Sequence, residues 1–298
     1  MRGLDETRSV STRPWRIDAG VADGLAEVLG WTGDDGAVAL AARFPERVPC
    51  GSTAKLAAMA AGELPPGAEV DAVARQLLDH QLAVVADPAG APPSPAWSCW
   101  VLATVMAALV DRSGIGPVAV AATRRIDERA PVVDLHSAVV VTESGWDRIC
   151  DPYFGVGVTL PVEVGEASSA EIEWRRADVR RDTGSAWSLD LQVAYWSKIR
   201  YRLLGPALDR GDVAAMTAIS VSHSGVPSRP YARLHVGGRA VDARIDDSGA
   251  GLATRWPAAG DTGAPEVVRV AAADPADPAD PWALVTAVFA GWTGIRLV

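Results

Sequence analysis

Over the first eighty or so positions the apolar residues recur at helical spacing. Asp18 stands where it can cap a helix over 19–29, and Ser52 where it can cap one over 53–61. The clearest helix covers 69–82, with Val70, Val73, Ala74, Leu77 and Leu78 on one face. His80, beside Asp79, reads as a partly exposed residue of that helix. The proline-studded run 87–95 suits neither a helix nor a strand interior and is a loop. Residues 100–110 are almost wholly apolar and rich in Ala and Leu, which predicts a buried helix; Gly114, Gly116 and Pro117 stop it.

The period then changes. Residues 118–122, 135–142 and 146–150 read as strands, the last two joined by a tight turn at Glu143-Ser144-Gly145. A helix is expected near 189–204 and a hairpin near 231–245, turning at Gly237-Gly238. The Ala-Asp-Pro repeat at 273–281 is a short linker, and a last helix covers 282–290. The class is α+β. A helical unit (1–90) precedes a core helix packed on an antiparallel sheet or barrel (91–195), and a mixed, lid-like α/β unit follows (196–298).

Composition narrows the function classes. The chain has 298 residues, 49% hydrophobic and 22% charged, as in ordinary globular proteins. A net charge of −9 leaves no broad cationic surface for phosphate backbones, which argues against nucleic-acid binding. Neither a signal peptide nor a membrane-spanning run is evident, so a soluble cytoplasmic protein with no membrane partner is expected. Three cysteines, an odd number, make a disulfide framework improbable and leave thiols free for chemistry.

Cys99 stands just after the proline loop, in the first turn of the expected buried helix. The positive end of a helix favours a thiolate, and its open N–H groups can receive a developing oxyanion. A free cysteine there also suits simple packing, as a small hydrophobe. His136 lies within an otherwise apolar strand, where its ring needs a partner. Folding the hairpin about Ser144 brings Asp151 beside His136, since cross-strand neighbours approach to about 5 Å. The carboxylate would accept the Nδ1 proton and leave Nε2 to take the proton of Cys99, the logic of a nucleophile, base and orienter. A purely structural His–Asp bond in a hairpin is the alternative. Cys150 should point to the opposite face from Asp151. Cys50 has no histidine close in sequence, and His223 and His235 have no adjacent cysteine. No metal-site spacing, phosphate loop or dinucleotide fingerprint is present. Arg124, Arg125 and Arg129, and Arg175, Arg176, Arg180 and Arg181, suit either phosphates or a solvated, ion-paired surface. Trp97 and Trp100 flank Cys99 and, with Phe154, are candidate walls of an acyl pocket.

Ser98-Cys99-Trp100-Val101-Leu102-Ala103, then His136, then residues 145–152 resemble the transglutaminase-like superfamily of Cys-His-Asp enzymes. Within it the chain is similar to the arylamine N-acetyltransferase family. His136 follows Cys99 by 37 residues and Asp151 follows His136 by 15, intervals close to that family's. Asp151-Pro152-Tyr153-Phe154-Gly155 resembles its Asp-Val-Gly-Phe-Gly segment, and Phe289 to Leu297 its terminal helix and tail. The flanks depart: Pro95, Ala96 and Trp97 stand where the family carries Arg-Gly-Gly, and Val101 and Ala103 where it carries an acidic residue and Asn. The resemblance implies catalysis by Cys99, His136 and Asp151 through an acyl-cysteine, with no tightly bound cofactor. The donor would be acyl-CoA or an acyl-phosphopantetheine on an acyl carrier protein, with Arg124 and Arg125 at its phosphates. The acceptor would be a small-molecule amine, with amide formation in natural-product biosynthesis as one setting. A transglutaminase-like amidase or cysteine protease, or a non-catalytic binding member of the fold, is the alternative.

Overall fold

The computed structural model describes residues 16–60, 70–87, 90–125, 135–172, 175–183, 186–193, 199–203, 229–258, 260–272 and 280–298. Helices α1 (Ala19–Leu29), α2 (Gly36–Arg47), α3 (Thr53–Ala60) and α4 (Val70–Ala86) precede α5 (Cys99–Ser113). Helix α1 starts where expected, because Asp18 Oδ1 accepts from the amides of Gly20 and Val21 at 2.9 and 3.2 Å. Every residue of α5 from Trp100 to Val110 is buried. Leu25, Leu29, Leu40, Phe44, Val73 and Leu77 of the preceding helices pack around it, and Val120, Val139 and Val141 belong to the same core.

Those last three belong to an eight-stranded antiparallel sheet. Its strands are β2 (Val118–Arg125), β3 (Leu135–Glu143), β4 (Trp146–Asp151), β5 (Val156–Thr159), β6 (Ala167–Ile172), β7 (Arg175–Thr183), β8 (Ala186–Val193) and β9 (Ile199–Leu203), in the order β5-β4-β3-β2-β9-β8-β7-β6. One face of β3 meets α5. The other contributes Ala138 to a second core, shared with Ile149, Phe154 and Val156 and with Ala177, Val179, Trp187 and Leu189 from β7 and β8. The sheet therefore curls over its own interior without closing as a barrel. A five-stranded sheet joins β1 (Cys50–Gly51) to β10 (Tyr231–Val236), β11 (Arg239–Ile245), β12 (Gly251–Arg255) and β13 (Glu266–Val270). Helix α6 (Pro281–Thr293) covers it through Val285 and Phe289. The class is α+β, and no described helix is long and apolar enough to cross a membrane.

Two expectations are corrected. The described residues of the segment expected as a helix near 189–204 are strand, in β8 and β9. Trp187, Leu189, Leu191 and Val193 alternate with polar residues, the period of a strand, and Trp187 and Leu189 enter the second core. Helix α3 starts at Thr53 as expected, with Ser52 O accepting from Leu56 N at 3.0 Å, and the Ser52 hydroxyl donates to Arg229 O at 2.7 Å and accepts from Tyr231 N at 3.1 Å. His80 is buried rather than partly exposed, with Nε2 bonded to Pro92 O at 3.0 Å. The linker at 273–279, His223 and Arg129 lie outside the described residues.

Because α5 is the shared centre of the first core, Leu109→Ala at its far end should destabilise the protein by about 2–5 kcal/mol in urea unfolding. A loss below about 1 kcal/mol would contradict the packing described.

Candidate active site

The start of α5 is held by residues remote in sequence. Trp97 N donates to Pro49 O at 2.9 Å, and Gly51 N donates to Trp97 O at 2.8 Å, tying the loop before Cys99 to β1. Strand β1 in turn pairs with β10, so closely that any side chain at Gly51 would meet the carbonyl of Tyr231. Thr53 Oγ1 accepts from Ala96 N at 2.7 Å. The tail completes the frame, with Ser94 N donating to Arg296 O at 2.6 Å and Val298 N to Ser94 O at 3.1 Å. Cys99 emerges partly exposed, and Ser98 makes no side-chain bond to the first turn of the helix.

His136 and Asp151 are set by the β3–β4 hairpin. Its two-residue turn at Ser144-Gly145 places Val139 opposite Cys150, so Asp151 falls on the face of β3 that carries Ala138 and His136. Cys150 points the other way, into the first core. His136 Nε2–H donates to Asp151 Oδ2 at 2.6 Å, with both side chains almost fully buried. Asp151 Oδ1 accepts the amides of Tyr153 and Phe154 at 3.0 and 3.1 Å. Cys99, at the start of α5, is the other polar group that acts on this imidazole. Asp151 takes Nε2 and leaves Nδ1 for the sulfur, the reverse of the ring orientation expected from sequence. Asp151 is a diagonal neighbour of His136, about 7–8 Å away along the strands, and only the distal ring nitrogen spans that gap.

Burial opposes charge on His136, but the charges of Asp151 and Cys99, with hydrogen bonds from both, hold its pKa well above 6.5. Phe154 lies against the ring at 5.2 Å and Tyr153 meets it edge-on at 5.6 Å. Trp97 and Trp100 face inward, 3% and 1% exposed, in the core that Cys99 touches. Asp147 bonds Thr142 Oγ1 at 2.6 Å and takes no part. The side chains of Arg124 and Arg125 lie outside the described residues. In the second arginine cluster, Arg176 and Arg180 form exposed pairs with Asp178 and Asp182, both at 2.9 Å. Arg175 breaks that pattern, since it is fully buried. Its parity with Ala177 and Val179 was the available signal. No three His, Cys, Asp or Glu side chains cluster as a metal site among the described residues.

Cys50 and Cys150 are fully buried, and burial pushes each thiol up to about 12. Limited iodoacetamide treatment near neutral pH should therefore label Cys99 first, as read by peptide mass spectrometry. Earlier labelling of Cys50 or Cys150 would refute the assignment.

His235 shifts in the opposite direction to His136. Burial, and the charges of Arg175 and Arg233, hold it well below 6.5. The unfolded chain protonates this ring below 6.5 while the folded chain does not, so its contribution to stability is full above that pH and is lost as pH falls. The urea midpoint of the wild type should drop more steeply from about pH 7 to pH 5 than that of His235→Gln. Parallel curves would contradict this.

No family model matches the chain, and no curated protein does. Solved structures do. The Mycobacterium smegmatis arylamine N-acetyltransferase is 17% identical, with 94% of this chain and 93% of that one covered, at a TM-score of 0.64. The Mycobacterium tuberculosis enzyme is 15% identical, with 92% of each chain covered and a TM-score of 0.62. A Bacillus cereus arylamine N-acetyltransferase, described with a Cys-His-Glu catalytic triad, is 12% identical, with 94% and 100% covered and a TM-score of 0.62. This chain is folded as the arylamine N-acetyltransferases are, at 17%, 15% and 12% identity to these three.

Proposed function

We propose that the chain is an acyltransferase that takes an acyl group from a thioester onto Cys99 and passes it to an amine, forming an amide. One observation carries the reading: a single buried imidazole is bonded to Asp151 at 2.6 Å and has Cys99 as its other electrostatic partner. The shared fold with arylamine N-acetyltransferases adds support from proteins named for that chemistry.

The steps follow from the geometry. Cys99 sulfur, its proton held by His136 Nδ1, attacks the thioester carbonyl. The oxyanion forms at the first turn of α5, whose amides Ser98 does not cap. Collapse expels the donor thiolate, which takes the proton from His136 and leaves an acyl-cysteine. The amine then attacks, His136 accepts its proton, and Cys99 leaves as thiolate. Asp151 keeps the ring oriented throughout.

In this reading Cys99, His136 and Asp151 are the catalytic residues, and Trp97, Trp100 and Phe154 shape the acyl side of the site. The donor is a coenzyme A or carrier-bound phosphopantetheine thioester, with Arg124 and Arg125 on β2 beside its phosphates. The altered flanks at Pro95, Ala96, Trp97, Val101 and Ala103 fit an acyl group other than acetyl, as in natural-product biosynthesis.

The test is intact-protein mass spectrometry after incubation with a panel of acyl-CoA and acyl-pantetheine thioesters. Wild type should gain an acyl mass, and Cys99→Ala none. His136→Ala and Asp151→Asn should acylate slower by about two orders of magnitude or more. Amide cleavage without acylation by any thioester would favour an amidase. A folded protein that does neither would favour binding alone.

A further inference from the structure

The turn 152–155, which supplies both amide donors to Asp151, rests on a guanidinium. Arg175, the first residue of β7, is 0% exposed. Its Nη2 lies 3.9 Å from Glu46 Oε1 on α2, and its Nε donates to Ile172 O at 3.4 Å. Gly155, at φ 67°, closes the turn, and its amide donates to Asp151 O at 2.7 Å. A Cβ on Gly155 would strike Arg175 Nη1 and the Pro45 ring of α2. Turn, guanidinium and helix therefore meet at one point without spare space. A buried guanidinium is costly unless counter-charge and hydrogen bonds fix it, and its planar fork is rigid once fixed. Whatever backbone rests on it inherits that rigidity.

We propose that Arg175, braced by Glu46, is a positioning residue for Asp151. It holds the turn so that the Tyr153 and Phe154 amides stay aimed at Oδ1, which leaves Oδ2 aimed at His136 and the ring aimed at Cys99. The inference rests on the acyltransferase reading of these three residues. Arg175 touches none of the reacting atoms; it acts through Gly155 and the turn.

The test is the pH profile of Cys99 alkylation by iodoacetamide, with urea unfolding measured on the same proteins. Arg175→Met should slow Cys99 alkylation at neutral pH by about tenfold or more and move the profile to higher pH, because a loosened Asp151 no longer orients the imidazole beside the sulfur. Arg175→Lys should recover part of the rate, since it restores charge without the fork. Glu46→Gln, at a partly exposed position, should shift the profile in the same direction but less, and it decides the matter if Arg175→Met fails to fold. Reduced stability with a wild-type alkylation profile in the folded variants overturns the proposal. His136→Ala separates the two layers. If it leaves the Cys99 profile unchanged, the reading of the three residues fails. If it shifts the profile while Arg175 and Glu46 variants do not, only the positioning role fails.

Discussion

The site depends on how one buried carboxylate is satisfied. Asp151 is 1% exposed, and a carboxylate so placed needs donors for both oxygens. It has three: His136 Nε2–H on Oδ2, and the Tyr153 and Phe154 amides on Oδ1. The two amides come from the carboxylate's own turn, so they fix where Asp151 points. Only one direction is left for the histidine bond. The order of cause runs from α2 through Arg175 to Gly155, then to Asp151, His136 and the sulfur. The inner links, Arg175, Asp151 and His136, are almost fully enclosed, which is what lets them transmit position.

The sulfur is placed by a separate set of constraints. The loop before α5 is tethered by His80 to α4, by Thr53 and Gly51 to β1 and its neighbour, and by Arg296 and Val298 to the tail. These anchors lie far apart along the chain and arrive at the same few residues. Strand β1, though only two residues long, joins the two halves: it pairs with β10 on one side and bridges to Trp97 on the other. The nucleophile thus comes from a helix and its base from the eight-stranded sheet, and they meet because α5 packs against β3.

Much of this could be read from the sequence. The hairpin was legible because a two-residue turn fixes register, and register alone decides that Asp151 and not Cys150 shares a face with His136. Helix α5 was legible because its apolar run is too long for a strand. What stayed hidden depends on long-range packing. The turned imidazole follows from the diagonal offset of Asp151, which strand periodicity does not specify. Strands β8 and β9 were mistaken for a helix although Trp187 and Leu189 already alternated with Ser188 and Asp190. Arg175 was grouped with surface arginines because charge outweighed parity in the reading. Its partner, Glu46, lies on a helix well over a hundred residues away, and no local pattern points to it.

The two buried histidines with opposite shifts show how neighbours, rather than depth, decide the state of a ring. His136 and His235 are both almost wholly enclosed, and burial alone would keep each neutral. His136 faces Asp151 and Cys99, and their charges reverse the effect of burial. His235 faces Arg175 and Arg233, which reinforce it. Arg233 is paired with Asp242 at 2.7 Å, whereas Arg175 reaches its carboxylate only at 3.9 Å. The neighbours of His136 thus favour its charged form, and those of His235 its neutral form. Arg175 stands between the two effects: it opposes charge on His235 and packs against Gly155, in the turn whose amides hold Asp151.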